Sequence, residues 1–83
     1  MNDNTVMSLN QLKPGEKAQV VALAGGRSVQ NRLVGMGLNV GCLVEILRSP
    51  NGRGGPALVA TGGTRLAIGH GMASRIIVAV DGE

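Results

Sequence analysis

The chain has 83 residues, eight Lys or Arg against five Asp or Glu, a formal charge of +3, one cysteine and no Phe, Tyr or Trp. This length supports one domain and one core, and a single cysteine excludes an internal disulfide, which fits a reducing cytoplasm. The positive charges are dispersed, so no basic tail for nucleic acid or membrane is encoded, and the polar N-terminus and short apolar runs give neither a secretory leader nor a membrane span.

In chain order, residues 1–6 are expected to fray. Met7 to Leu12 can form a helical turn, with Ser8 as its cap and Leu9 and Leu12 facing inward at i, i+3. Lys13-Pro14-Gly15-Glu16 is a turn, because proline presets one backbone angle and glycine accepts the unusual one. Lys17 to Ala24 has the composition of a strand, ended by Gly25-Gly26. Ser28 then stands as a plausible N-cap for a short helix in which Val29, Leu33 and Met36 share one face at i, i+4 and i+7. Gly35 and Gly37 weaken that helix, and one of them can adopt the left-handed backbone that ends it.

Leu43 to Arg48 forms the next strand, rich in branched residues. Ser49 to Pro56 makes a long glycine-rich hairpin loop. Ala57 to Thr61 and Thr64 to Gly69 are strands about a Gly62-Gly63 turn, His70 to Ser74 is a single helical turn, and Arg75 to Val80 is the last strand. Residues 81–83 are expected to fray. About five short strands, one helix after the first and a helical turn at the N-terminus describe a mainly β, small, partly open barrel in one domain.

The residues offer little chemistry. His70, between Gly69 and Gly71, is the one weak metal candidate; it has neither a second histidine nor an acidic neighbour at ligand spacing. Cys42 lacks a local positive charge or helix N-terminus that would make it reactive, so a small hydrophobe is its expected role. Cys42, His70 and Met72 are scattered and carry no ligand spacing. Asn51 to Gly55 shares only composition with a phosphate loop, since it lacks the Gly-Lys-Ser/Thr ending and no helix follows. The alternatives to a protein-binding role are a small basic nucleic-acid-binding barrel and, after it, a metal-binding sensor or carrier resting on His70; single-strand binders, however, stack bases on aromatic side chains, and here there are none. No catalytic residue and no cofactor follow from these patterns.

The order and spacing of several short motifs nevertheless resemble one family. Arg32-Leu33-x-x-Met36-Gly37-Leu38-x-x-Gly41 is similar to the signature of the FeoA family, small cytosolic proteins of bacterial ferrous iron uptake. Leu9-x-x-Leu12-Lys13-Pro14-Gly15-Glu16 resembles the family's opening. Arg48-x-Pro50-x-Gly52 with Pro56 resembles its central hairpin, and Leu66-Ala67-Ile68 followed by Ala73-x-x-Ile76-x-Val78 its close. The resemblance implies an SH3-like barrel, a non-enzymatic adaptor or regulator, and a partner in FeoB, the membrane protein that carries a GTP-binding domain and moves Fe(II). It implies a cytoplasmic protein brought to the inner face of the membrane by that partner, without direct insertion. Val34, Met36 and Leu38 cannot all point into one small core, so they are expected to contribute partner contacts, with Arg27 and Arg32 as a polar rim.

Overall fold

The computed structural model describes residues 3–49 and 55–82. Among them, six strands form one antiparallel sheet in the order β1-β6-β2-β3-β4-β5, with β1 at Asp3–Ser8, β2 at Lys17–Leu23, β3 at Leu43–Arg48, β4 at Ala57–Thr61, β5 at Thr64–Ile68 and β6 at Ile76–Gly82. A single 3-10 turn, Leu9–Gln11, follows β1; helix α1, Arg27–Gly35, joins β2 to β3; and a one-turn helix α2, His70–Ala73, joins β5 to β6. The sheet is open, with β1 and β5 at its edges.

Strand alternation explains the core. Along β2, Ala18 and Val20 are buried while Lys17, Gln19 and Val21 are exposed; along β3, Val44 and Ile46 are buried and Leu43 is exposed. Val59 and Ala57 of β4, Ile68 of β5 and Ile76 and Val78 of β6 complete the inward face. Leu9 and Leu12 enter from the 3-10 turn, Leu33 from α1, Leu38 from the loop after it, and Ala73 from α2. The core is therefore aliphatic throughout, and among the described residues no polar residue is buried. Burial of branched side chains at about 25 cal/mol per Å² is what drives this small sheet to close over its helices.

The structure corrects three expectations. The ends do not fray where they are described: β1 runs antiparallel to β6, with Asp3 opposite Gly82 and Thr5 opposite Val80. The sheet thus has six strands rather than five. Ser28 is not the helix cap, because Gly26 occupies that position with extended backbone (φ −74°, ψ 175°) and Ser28 lies within α1. The apolar helix face follows its spacing, however, with Leu33 buried and Val29 and Met36 packed against the core. Most of the glycine-rich hairpin, residues 50–54, lies outside the described residues. From its near end the Ser49 hydroxyl donates to the Leu12 carbonyl at 2.8 Å.

Candidate partner-binding site

Helix α1 is tied down from both ends. Near its start, the Gln30 side-chain amide donates to the carbonyls of Leu23 (3.2 Å) and Gly25 (3.1 Å), joining the helix to the end of β2. Gly25 has φ +103°, and a methyl group added there would stand 2.8 Å from Nη1 of Arg75. The arginine thus lies directly across this glycine.

The C-terminal end explains the motif Leu33 to Gly41. Met36 is the C-cap and Gly37 follows with φ +94°. The Gly37 amide donates to the Val34 carbonyl (2.9 Å) and the Leu38 amide to the Leu33 carbonyl (3.0 Å). These two bonds define a Schellman ending, which satisfies carbonyls that the helix itself leaves free. Such an ending is commonly sealed by contact between the residues at its two ends, here Leu33 and Leu38, and both are fully buried. Four residues after Leu38, Cys42 donates its amide to the Asn39 carbonyl (3.1 Å), and Gly41 has φ +100° at the third position of that turn. Gly41 and Cys42 together face Val20, the Gly41 amide donating to the Val20 carbonyl (2.7 Å) and the Val20 amide to the Cys42 carbonyl (2.8 Å). This is a glycine bulge, which launches β3. The spaced residues of the motif therefore encode a helix stop and a strand start.

That geometry sorts the expected contact residues. Leu38 is a correction: it is fully buried, and the Schellman ending requires it there, so it offers no surface. Met36 is half-buried against the core. Val34 is 45% exposed, and Arg27 and Arg32 are exposed. Arg27 and Val34, seven residues apart, lie on the side of α1 away from Leu33, while Arg32 and Met36, four apart, form one flank. Helix α1 contains two arginines and no acid. Arg32 in the last turn complements the helix dipole, but Arg27 in the first turn opposes it, at a cost of a few tenths of a kcal/mol. Helix stability therefore does not account for Arg27.

His70 is exposed at the first position of α2, and its carbonyl accepts a bond from the Asn10 side-chain amide at 3.2 Å. Cys42 is half-buried, with Sγ 3.2 Å from the Gly37 carbonyl oxygen. Among the described residues no three His, Cys, Asp or Glu side chains are grouped so as to hold a metal ion. No helix among them is long and apolar enough to cross a membrane.

A surface not anticipated from the sequence lies on the outer side of the sheet, where Leu43 is 71% exposed. The signal was present in β3: Glu45 favours solvent, and strand alternation places Leu43 on the same face.

Residues 7–80 match the FeoA domain family. The chain is 38% identical over 66 residues to "Putative Fe(2+) transport protein A" of Methanocaldococcus jannaschii, covering 80% of this chain and 77% of that protein. It superposes on the crystal structure of an iron uptake regulatory protein, FeoA, with a TM-score of 0.79 and 38% identity, covering 89% of this chain and 95% of that one. Against Stenotrophomonas maltophilia FeoA, described as a procaryotic SH3 domain protein and determined with zinc, the TM-score is 0.73 and the identity 30%, covering 87% of this chain and 88% of that one. On the strength of the matched domain and of these relatives, the chain belongs to the FeoA family, small SH3-like proteins associated with ferrous iron transport.

Proposed function

We propose that this protein is a non-enzymatic cytoplasmic adaptor that binds the cytosolic GTPase part of a FeoB-like Fe(II) transporter through the exposed side of α1. The observation that carries the reading is the construction of α1. One side is locked into the core by Leu33 and the Schellman ending, while Arg27 and Val34 are exposed on the side away from Leu33 and Arg32 is exposed on the flank beside Met36. An exposed aliphatic side chain with an arginine on the same side of a rigid element is a fitting contact surface, because little conformational entropy is lost on docking. Met36, half-buried at the flank, adds an adaptable edge. Family membership supplies the transport context.

Calorimetric titration of this protein against the soluble GTPase domain, in GDP- and GTP-analogue-bound states, tests the reading. The expected result is association in at least one state, weakened more than about tenfold by Val34→Asp or Arg32→Glu. Absence of association in every nucleotide state, or binding indifferent to both substitutions, overturns it.

A further inference from the structure

The outer face of the sheet, opposite the core, carries a second constructed surface. Its residues follow from the pairing register. One row across four strands runs Lys17 opposite Glu45, Glu45 opposite Ala60, and Ala60 opposite Arg65. The neighbouring row begins with Gln19 opposite Leu43 and meets the Gly62-Gly63 hairpin. On the other side, Arg48 stands opposite Leu58 and Leu58 opposite Ala67. Directly opposed residues of an antiparallel pair project from the same face. On strands β2 to β5 this face therefore holds Leu43 together with three cations, Lys17, Arg48 and Arg65, and one carboxylate, Glu45.

A single exposed leucine carries no message by itself. Here it borders a hollow of about 280 Å³ lined by Lys17, Leu43, Glu45, Ala60, Gly62 and Gly63, among others. The hollow exists because the residues beside Leu43 are small: Ala60 has only a methyl group, and nothing lies within 4 Å of where a Cβ would stand at Gly62 or Gly63. Its wall is held in place, since the Thr61 hydroxyl donates to the Leu43 carbonyl at 3.0 Å. In size it falls just below the range of about 300–1,000 Å³ typical of small-molecule sites, and it is open to solvent, so it suits one anchoring side chain better than a sequestered ligand.

We propose that this face docks an acidic segment of a protein partner, one aliphatic or aromatic side chain of which fills the hollow against Leu43 while flanking carboxylates meet Lys17 and Arg65. Charge complementarity selects the occupant: on strands β2 to β5 three cations outnumber one carboxylate, which favours an acidic ligand and disfavours a second copy of the same face. Nucleic acid fits less well, because the chain has no aromatic side chain on which bases could stack. The surface is separate from α1, so it stands or falls without the transporter reading.

The test is selection from a random peptide library displayed on phage against the intact protein, with selected peptides then synthesised and titrated by calorimetry and amide chemical-shift mapping. The expected peptides carry an aliphatic or aromatic residue flanked by Asp or Glu. They shift the amides of Leu43, Ala60 and Gly62, and they bind more than about tenfold more weakly to Leu43→Ser and to Lys17→Glu, with affinity falling as salt rises. Both replaced residues are exposed, so the core is untouched. Arg32→Glu leaves peptide binding unchanged, which separates this face from the α1 surface. Failure to select such peptides, binding indifferent to Leu43→Ser and Lys17→Glu, or use of the face by duplex DNA, anionic vesicles or a second copy of the chain overturns the proposal.

Discussion

Two connections in this molecule are built on glycines with positive φ, and they do opposite things. Between α1 and β3, Gly37 (φ +94°) and Gly41 (φ +100°) bracket a segment whose neighbours Leu33 and Leu38 are fully buried. Between β4 and β5, Gly62 (φ +55°) and Gly63 (φ +82°) make a tight hairpin that borders the open hollow beside Leu43. The backbone requirement is similar in both, because left-handed conformations penalise a Cβ. The difference lies in what flanks the glycines. In the first connection the turn brings two leucines together and closes the core; in the second it leaves space. Glycine spacing alone thus marks where the chain turns, and the adjacent side chains decide whether the turn seals or opens a surface.

The comparison is broken most severely at Leu38. Leu38→Ala removes a fully buried side chain from the seal and is expected to destabilise the fold by about 2–5 kcal/mol. In a domain of this size that lowers the melting temperature by about 10 °C or more, as differential scanning calorimetry would record. An unchanged melting temperature would mean that the Leu33–Leu38 contact does not close the helix end. The next effect is at the glycine itself. Gly37→Ala meets no neighbouring atom, so its cost is the backbone term alone, about 1–2 kcal/mol. Two residues earlier the same substitution changes sign: Gly35 ends α1 without a positive φ and has open space around its Cβ position. Gly35→Ala is therefore expected to stabilise by about 0.5 kcal/mol through helix propensity. Denaturant midpoints of the two variants should move in opposite directions, and movement in the same direction would remove the Schellman assignment.

The legible parts of the structure were those set by local chemistry. The 3-10 turn at Leu9 with its inward leucines, the Pro14-Gly15 turn, the apolar face of α1 and the Gly62-Gly63 hairpin all follow from residue type and spacing. What was not legible depends on distant partners. Asp3 to Ser8 shows little strand patterning, and it is a strand because β6 presents an edge that it can pair with. The fate of Leu38 was hidden for a related reason. Helical spacing does not extend past Gly37, and the left-handed turn there redirects the following residue into the core. The helix from Arg27 and its inward face were legible as a segment, but which of its expected contact residues are exposed was not legible one by one. The hollow beside Leu43 was missed because it depends on rows formed across strands that lie far apart in sequence.

The smallest expected effect tests the open turn. With positive φ at both Gly62 and Gly63, the hairpin has the signature of a type I′ turn, whose first central position accepts asparagine readily. No atom lies within 4 Å of the Cβ position at Gly62, so a side chain there meets no steric barrier. Gly62→Asn is accordingly expected to change stability by less than about 0.5 kcal/mol, read as a denaturant midpoint close to that of the parent protein. The contrast with Gly37→Ala is the informative quantity. Both substitutions place a Cβ at positive φ in open space, but asparagine tolerates the left-handed region that alanine resists. A loss at Gly62→Asn as large as that at Gly37→Ala would show that the β4–β5 turn is constrained by more than its backbone. The open side of the molecule would then be as tightly specified as the sealed one.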